Sequence, residues 1–234
     1  MPNLAPAPIP VPDTKRQTTK PALARFKNTA IPVATRLREI DALGKSNTPT
    51  AARVLMALGD DNTYLNYAAV AALGRVKQPG VNEYLEGKMT HADPKVVAAA
   101  VKSLADALGT DAIAAIAGVL EKNHKRDDGY QDLVCTACVE ALASIKSPDA
   151  VPALARELEE TVGKDLLYDY GSVVVVALKD IGDASGKAAL VAYAERLATA
   201  KAHMKDNPMG RRYLDGKIDE AKNAADELAE RVIQ

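Results

Sequence analysis

The sequence predicts an all-α fold, a right-handed α-solenoid of about five helical hairpins closed by a C-terminal capping helix. Three observations carry that prediction. First, a short pattern (Val or Ile, any residue, a small residue, Leu) recurs at residues 40–43, 70–73, 101–104, 139–142 and 175–178. The Leu positions are spaced by 30, 31, 38 and 36 residues, and self-similarity at such a period marks stacked helical hairpins. Second, six residues after each Leu stands Pro49, Pro79, Thr110, Pro148 or Ala184, where a new helix is expected to begin. Third, the chain is 47% hydrophobic but only 4% aromatic, with one Phe and no Trp. Ala-rich helices packed closely against one another need few large rings.

Each segment has its own warrant. Prolines at 2, 6, 8, 10 and 12 oppose helix and favour an extended polyproline conformation. Residues 1–30 are therefore expected to be a flexible basic arm, with Lys15, Arg16, Lys20 and Arg25 as its contact residues. Residues 31–206 are expected to hold the repeat array. Inner helices, which carry the Leu pattern, are predicted over 32–45, 62–76, 94–108, 130–146 and 167–181. Outer helices are predicted over 49–58, 80–90, 111–123, 149–160 and 184–204. Proline suits the first turn of a helix, where its missing N–H costs nothing. Asp61 or Asn62 and Asp93 are placed as N-caps. Gly44, Gly74 and Gly182 are expected to supply left-handed C-terminal residues. Residues 207–234 read as an amphipathic cap, with Leu214, Ile218, Ala221, Ala225, Leu228 and Val232 on one stripe. Dimerisation through that stripe is a second reading.

The segments IDALG (40–44), VAALG (70–74), VKSLA (101–105), VEALA (139–143) and VALKDIG (176–182) resemble the second helix of HEAT repeats. They are also similar to the short bacterial HEAT-like units of phycobilin lyases. The closest unit is DPKVVAAAVKSLADALG (93–109), although the family's usual Arg after the Val is absent here. The resemblance covers residues 32–182. It implies a fold strongly and a function weakly.

Catalytic relatives of that architecture fit poorly. The HEAT-like hydroxylase holds iron through His-Glu dipeptides, and none occurs here. HEAT-like DNA glycosylases use aromatic residues, Trp among them, and a basic groove. This chain has no Trp, and its net charge is −1. No G-x-x-x-x-G-K or G-x-G-x-x-G loop is present. Cys135 and Cys138 form a Cys-x-x-Cys pair, but they align with small core positions (Cys138 with Ala69, Ala100 and Val174; Cys135 with Val97). They are read as buried structural residues rather than a redox or zinc motif. His91, His124 and His203 show no paired spacing. No catalytic residue, metal site or cofactor is assigned.

The constellation that points to function is tyrosine. Tyr64, Tyr67, Tyr130, Tyr168 and Tyr170 fall in the first halves of inner helices, accompanied by Asp60, Asp61, Asp132 and Asp169 among other acids. Tyrosine offers rigid contact area with a polar tip. A concave ridge of Tyr and Asp suits a basic or mixed protein or peptide. Charge is also divided: residues 1–45 carry eight basic side chains against three acidic ones, leaving the remainder near −6. That balance argues against nucleic-acid binding. No apolar run near 18 residues is expected to cross a membrane, and the missing export signals suggest a cytoplasmic protein, although a processed exported form would look the same. The sequence thus reads as a non-catalytic protein-binding scaffold or adaptor. The alternatives are a phycobilin-lyase-like protein or accessory subunit that binds a bilin, and a structural subunit of a large assembly.

Overall fold

A computed structural model describes residues 14–61, 64–124, 131–161 and 170–231, with side chains from residue 21 onward, except those of 131 and 132. Among the described residues there are helices and no strands. The α-helices are α1 (Thr14–Lys27), α2 (Val33–Ser46), α3 (Pro49–Gly59), α4 (Asn66–Leu73), α5 (Val81–Lys88), α6 (Pro94–Leu108), α7 (Ile113–His124), α8 (Gln131–Ile145), α9 (Val151–Thr161), α10 (Tyr170–Ile181), α11 (Gly186–His203) and α12 (Pro208–Glu230). Short 3-10 turns precede α7 and α9.

Local chemistry sets many of the helix starts. Thr48, Asp93, Ser147 and Asn207 each stand directly before a proline and accept a backbone N–H from the first turn with a side-chain oxygen. Two expected starts differ. Pro79 precedes a left-handed Gly80 (φ 81°), and α5 begins only at Val81. Asp61 caps nothing. It pairs with Lys27 at 2.8 Å, and α4 starts at Asn66.

The helices form two layers. The even-numbered helices pack side by side in order from α2 to α12, more closely than α3, α5, α7 and α9 pack on one another. The hairpin phase is a finding. Each even helix packs closely on the odd helix before it, giving the pairs α3/α4, α5/α6, α7/α8, α9/α10 and α11/α12. α12 is thus the second helix of the fifth hairpin as well as the end of the array. Its stripe (Leu214, Ile218, Ala221, Ala225, Leu228) is buried. That burial removes the dimerisation reading for those residues; Val232 lies outside the described residues.

The repeat register is the core. Val70, Val101, Val139, Leu73, Leu104, Leu142 and Leu178 are fully buried, and Ile40 and Val175 nearly so. Leu43, at the end of the stack, is partly buried.

Two expectations about glycine and one about the arm are corrected. Gly182 is left-handed (φ 78°), but Gly74 has helical φ (−57°), and Gly44 sits inside α2, which ends instead on Asn47 (φ 46°). Gly44 and Gly74 serve close approach. A Cβ on Gly74 would lie 2.8 Å from Ser103 Cα, and one on Gly44 would lie 2.7 Å from Ala72 O. Ser103 uses that proximity, its Oγ donating to Val70 O at 3.0 Å across the α4–α6 seam. As for the arm, residues 14–27 are helical rather than flexible. Proline is dense only to Pro12, and Pro21 alone lies within α1. α1 packs on α3, Phe26 is buried, and Arg36 Nη1 donates to Phe26 O at 3.0 Å.

By length and composition Pro94–His124 is apolar enough to cross a membrane, contrary to the sequence reading. Gly109 (φ 56°) divides it into α6 and α7, both of which bury residues in the core.

Candidate binding face and buried polar cluster

The exposed large hydrophobic side chains are unevenly distributed. Among the described residues, Val33, Tyr64, Tyr67, Leu133, Val176, Met209 and Tyr213 lie on even-numbered helices or the turn leading into α4, whereas Val191 lies on α11. Tyr64 is 52% and Tyr67 39% exposed. The buried Arg36 guanidinium lies 5.4 Å from the Tyr64 ring centroid, a cation–π contact worth about 0.5–1 kcal/mol at an exposed site. At the opposite end Lys217 Nζ sits 5.5 Å from the Tyr213 ring.

The sequence-predicted ridge is only partly assembled there. Tyr64 and Tyr67 are on it. Tyr130, Tyr168 and Asp169 lie outside the described residues, as do the side chains of Asp132, Lys15, Arg16 and Lys20. Arg25 pairs with Glu39 at 2.5 Å on the surface, tying α1 to α2. Tyr170 opens α10 and is partly buried, packed against the core rather than standing out like Tyr64 and Tyr67. Burial first, then the Glu157 carboxylate, raises its pKa far above the usual phenol value. The acidic character of the ridge weakens as well. Asp60 accepts from Lys88 (2.8 Å) and from the Tyr84 hydroxyl (3.0 Å), and Asp61 is taken by Lys27. Asp60 remains 61% exposed at its side chain within that pair, whereas Asp61 is largely covered at 17%.

Between α8 and α10 the even face opens into a groove of about 590 Å³. Val139, Ala143, Val173, Val176 and Ala177 form its apolar part, and Glu140, Lys146 and Asp180 stand on its rim.

A second feature escaped the sequence reading. His124, at the end of α7, is buried with its two ring nitrogens toward two carboxylates of α9: Nδ1 is 3.1 Å from Glu157 Oε1, and Nε2 is 3.4 Å from Glu160 Oε2. Glu157 is 4% exposed. The signal was available in α9, where residues 151, 154, 158 and 161 form the buried stripe and Glu157 is its lone charged neighbour of equal burial. A cavity of about 270 Å³ beside this cluster is floored by Ala114, Ala117 and Gly118. Among the described residues no group of three His, Cys, Asp or Glu side chains is arranged to hold a metal ion.

Cys135 and Cys138 pack in the same region, both as thiols outside any disulfide and buried at 1% and 0% exposure. Burial first, then Cys135 and Glu157, pushes the Cys138 thiol well above the usual range. A thiol without thiolate character or access is inert. Native protein is therefore expected to leave a chromogenic disulfide reagent untouched, and to release about two equivalents when unfolded in guanidinium. Rapid titration of either thiol in the native state would contradict this burial.

Two family models agree with the repeat architecture. A family model described as HEAT repeats matches residues 55–130, and one described as PBS lyase HEAT-like repeat matches residues 134–160. No curated protein matches the chain significantly. Among solved structures, the crystal structure of an engineered protein, a Northeast Structural Genomics Consortium target, aligns at 19% identity and a TM-score of 0.46, covering 93% of this chain and 94% of that one.

Proposed function

Because the chain is a HEAT-repeat protein, a class that generally serves as a protein-interaction scaffold, we propose that it is a non-catalytic scaffold or adaptor that binds another protein along its even-helix face. The observation that supports this reading is the concentration of exposed hydrophobic residues in one layer, with Tyr67, Leu133, Val176 and Tyr213 on even-numbered helices and Tyr64 in the turn leading into α4. A face of rigid aromatic and aliphatic side chains set among charges has the make-up of a binding surface. The pairing of Asp60 and Asp61 with lysines favours a partner recognised through apolar anchors over one recognised through positive charge.

The test is quantitative capture from native extract by wild type and by Tyr67→Ala/Leu133→Ala. Both positions are exposed, so the variant should keep its helical circular dichroism. Loss of at least tenfold of a specifically captured protein is expected, about 1.4 kcal/mol or more. Capture equal to wild type would remove this face from the interaction.

The match at residues 134–160 favours a second reading, a bilin bound as the name PBS lyase suggests. That reading requires a shifted visible spectrum when an open-chain tetrapyrrole is titrated into the protein. An unchanged spectrum would dismiss it.

A further inference from the structure

The α8–α10 seam holds a groove with an open apolar middle. Its neighbours carry polar cross-links. Arg75 pairs with Asp41 across α2–α4, Ser103 donates to the Val70 carbonyl across α4–α6, and Lys102 pairs with Glu140 across α6–α8. Across α10–α12, Ser172 donates to Glu220 and accepts from Lys217, and Lys179 pairs with Glu227. Between α8 and α10 the cross-link lies at the end of the seam, where Lys146 Nζ donates to Asp180 O at 2.8 Å. The small side chains of Ala143 and Ala177 leave Val173 and Val176 lining a gap, and Val176 is 45% exposed.

The chain carries a segment whose chemistry fits that gap. Residues 1–12 contain no charged side chain and alternate proline with apolar residues, PAPIPVP over 6–12. In a polyproline helix of three residues per turn, Pro6, Ile9 and Pro12 line one edge, and Pro8 and Val11 the next. Proline-rich apolar sequence of this kind gives up little entropy on docking and needs no strand edge to pair with.

The segment cannot serve its own groove. Ile9 stands five residues before Thr14, a reach of about 16 Å in that conformation. α1 packs on α3, and the groove lies beyond α4 and α6, at helix spacings of roughly 8–10 Å each. The span from α3 to the groove is then about 25–35 Å.

We propose that the proline-rich segment around Ile9 and Val11 docks in the α8–α10 groove of a second copy of this chain. The contact is heterologous, so each copy offers one arm and one groove, and association continues head to tail. The buried area is small, which places the affinity in the weak class, a Kd of roughly 10–500 µM. This goes beyond the scaffold reading and does not depend on it.

Complementation between full-length variants tests it. Val176→Glu spoils the groove and Ile9→Asp/Val11→Asp spoils the arm, and neither change touches a fully buried residue among those described. In sedimentation velocity from about 20 µM to 1 mM, wild type should associate progressively beyond the dimer, while each variant alone stays monomeric. Mixing the two variants should restore association and stop it at a heterodimer, since one sound arm meets one sound groove. Monomeric wild type throughout that range would overturn the proposal. So would Val176→Glu associating like wild type, or a mixture that stays monomeric. Each of those failures leaves capture of a foreign partner through Tyr67 and Leu133 untouched.

Discussion

Leu142→Ala is expected to lower stability by about 3–5 kcal/mol, within the range measured for truncating a fully buried leucine. For a chain of this size that is a fall of about 6–15 °C in the unfolding midpoint. Leu142 is fully buried in α8, which packs on α6, α7 and α10 together, so truncation opens a cavity at the junction of two hairpins. In a stack that holds by nearest-neighbour contacts, such a loss also weakens the coupling between its two halves. Urea unfolding of the variant should therefore show both a lower midpoint and a shallower slope than wild type. The matched control is Leu43→Ala. Leu43 holds the same place in the pattern but is only partly buried at the end of the stack, and its truncation should cost about 1 kcal/mol. Equal losses at the two positions would contradict the register on which the fold rests.

That register was legible because it is written in residue types whose spacing has one physical meaning. Val at 70, 101, 139 and 175 and Leu at 73, 104, 142 and 178 recur at three-residue offsets inside a 30–38-residue period, and they all end in the core. Four starts could be read as well, at Thr48, Asp93, Ser147 and Asn207, where a capping side chain precedes proline. The pairing phase was not. A period states how often a hairpin comes, not whether a Leu-bearing helix packs more closely on the helix before it or after it, and loop lengths here allow either. α1 was obscured by Pro2 to Pro12, whose effect on the backbone stops well before Phe26.

The candidate face was legible in part for a similar reason. Tyr67 is exposed in α4, three residues before the buried Val70, and Tyr64 is exposed in the turn before that helix. The partial burial of Tyr170 was not legible. There the core offers Glu157, a polar partner from α9 that no pattern within α10 reveals. The pairing of Asp61 with Lys27 and of Asp60 with Lys88, both distant in sequence, was not legible either. Long-range polar pairing is what periodicity leaves out.

Glu157→Ala tests the largest such pairing. Its carboxylate sits in the interior, 3.1 Å from His124 Nδ1 and facing the Tyr170 phenol, so three helices (α7, α9 and α10) meet through one side chain. Removing it withdraws the acceptor that His124 Nδ1 faces and leaves a gap beside Tyr170. A buried polar group stripped of its partner costs more than the hydrogen bond was worth, and the expected loss is about 3 kcal/mol. Glu157→Gln keeps the volume and one acceptor oxygen, and should cost less, roughly 1–2 kcal/mol. The order Ala worse than Gln separates loss of the polar contact from loss of charge alone. A second readout is local. Cys138 is sealed next to Glu157, so the Ala variant should admit the thiol reagent to Cys138 under native conditions where wild type excludes it. If both variants unfold at the wild-type urea concentration, the cluster contributes nothing to holding α7, α9 and α10 together. Its retention in an otherwise apolar seam would then need an explanation other than stability.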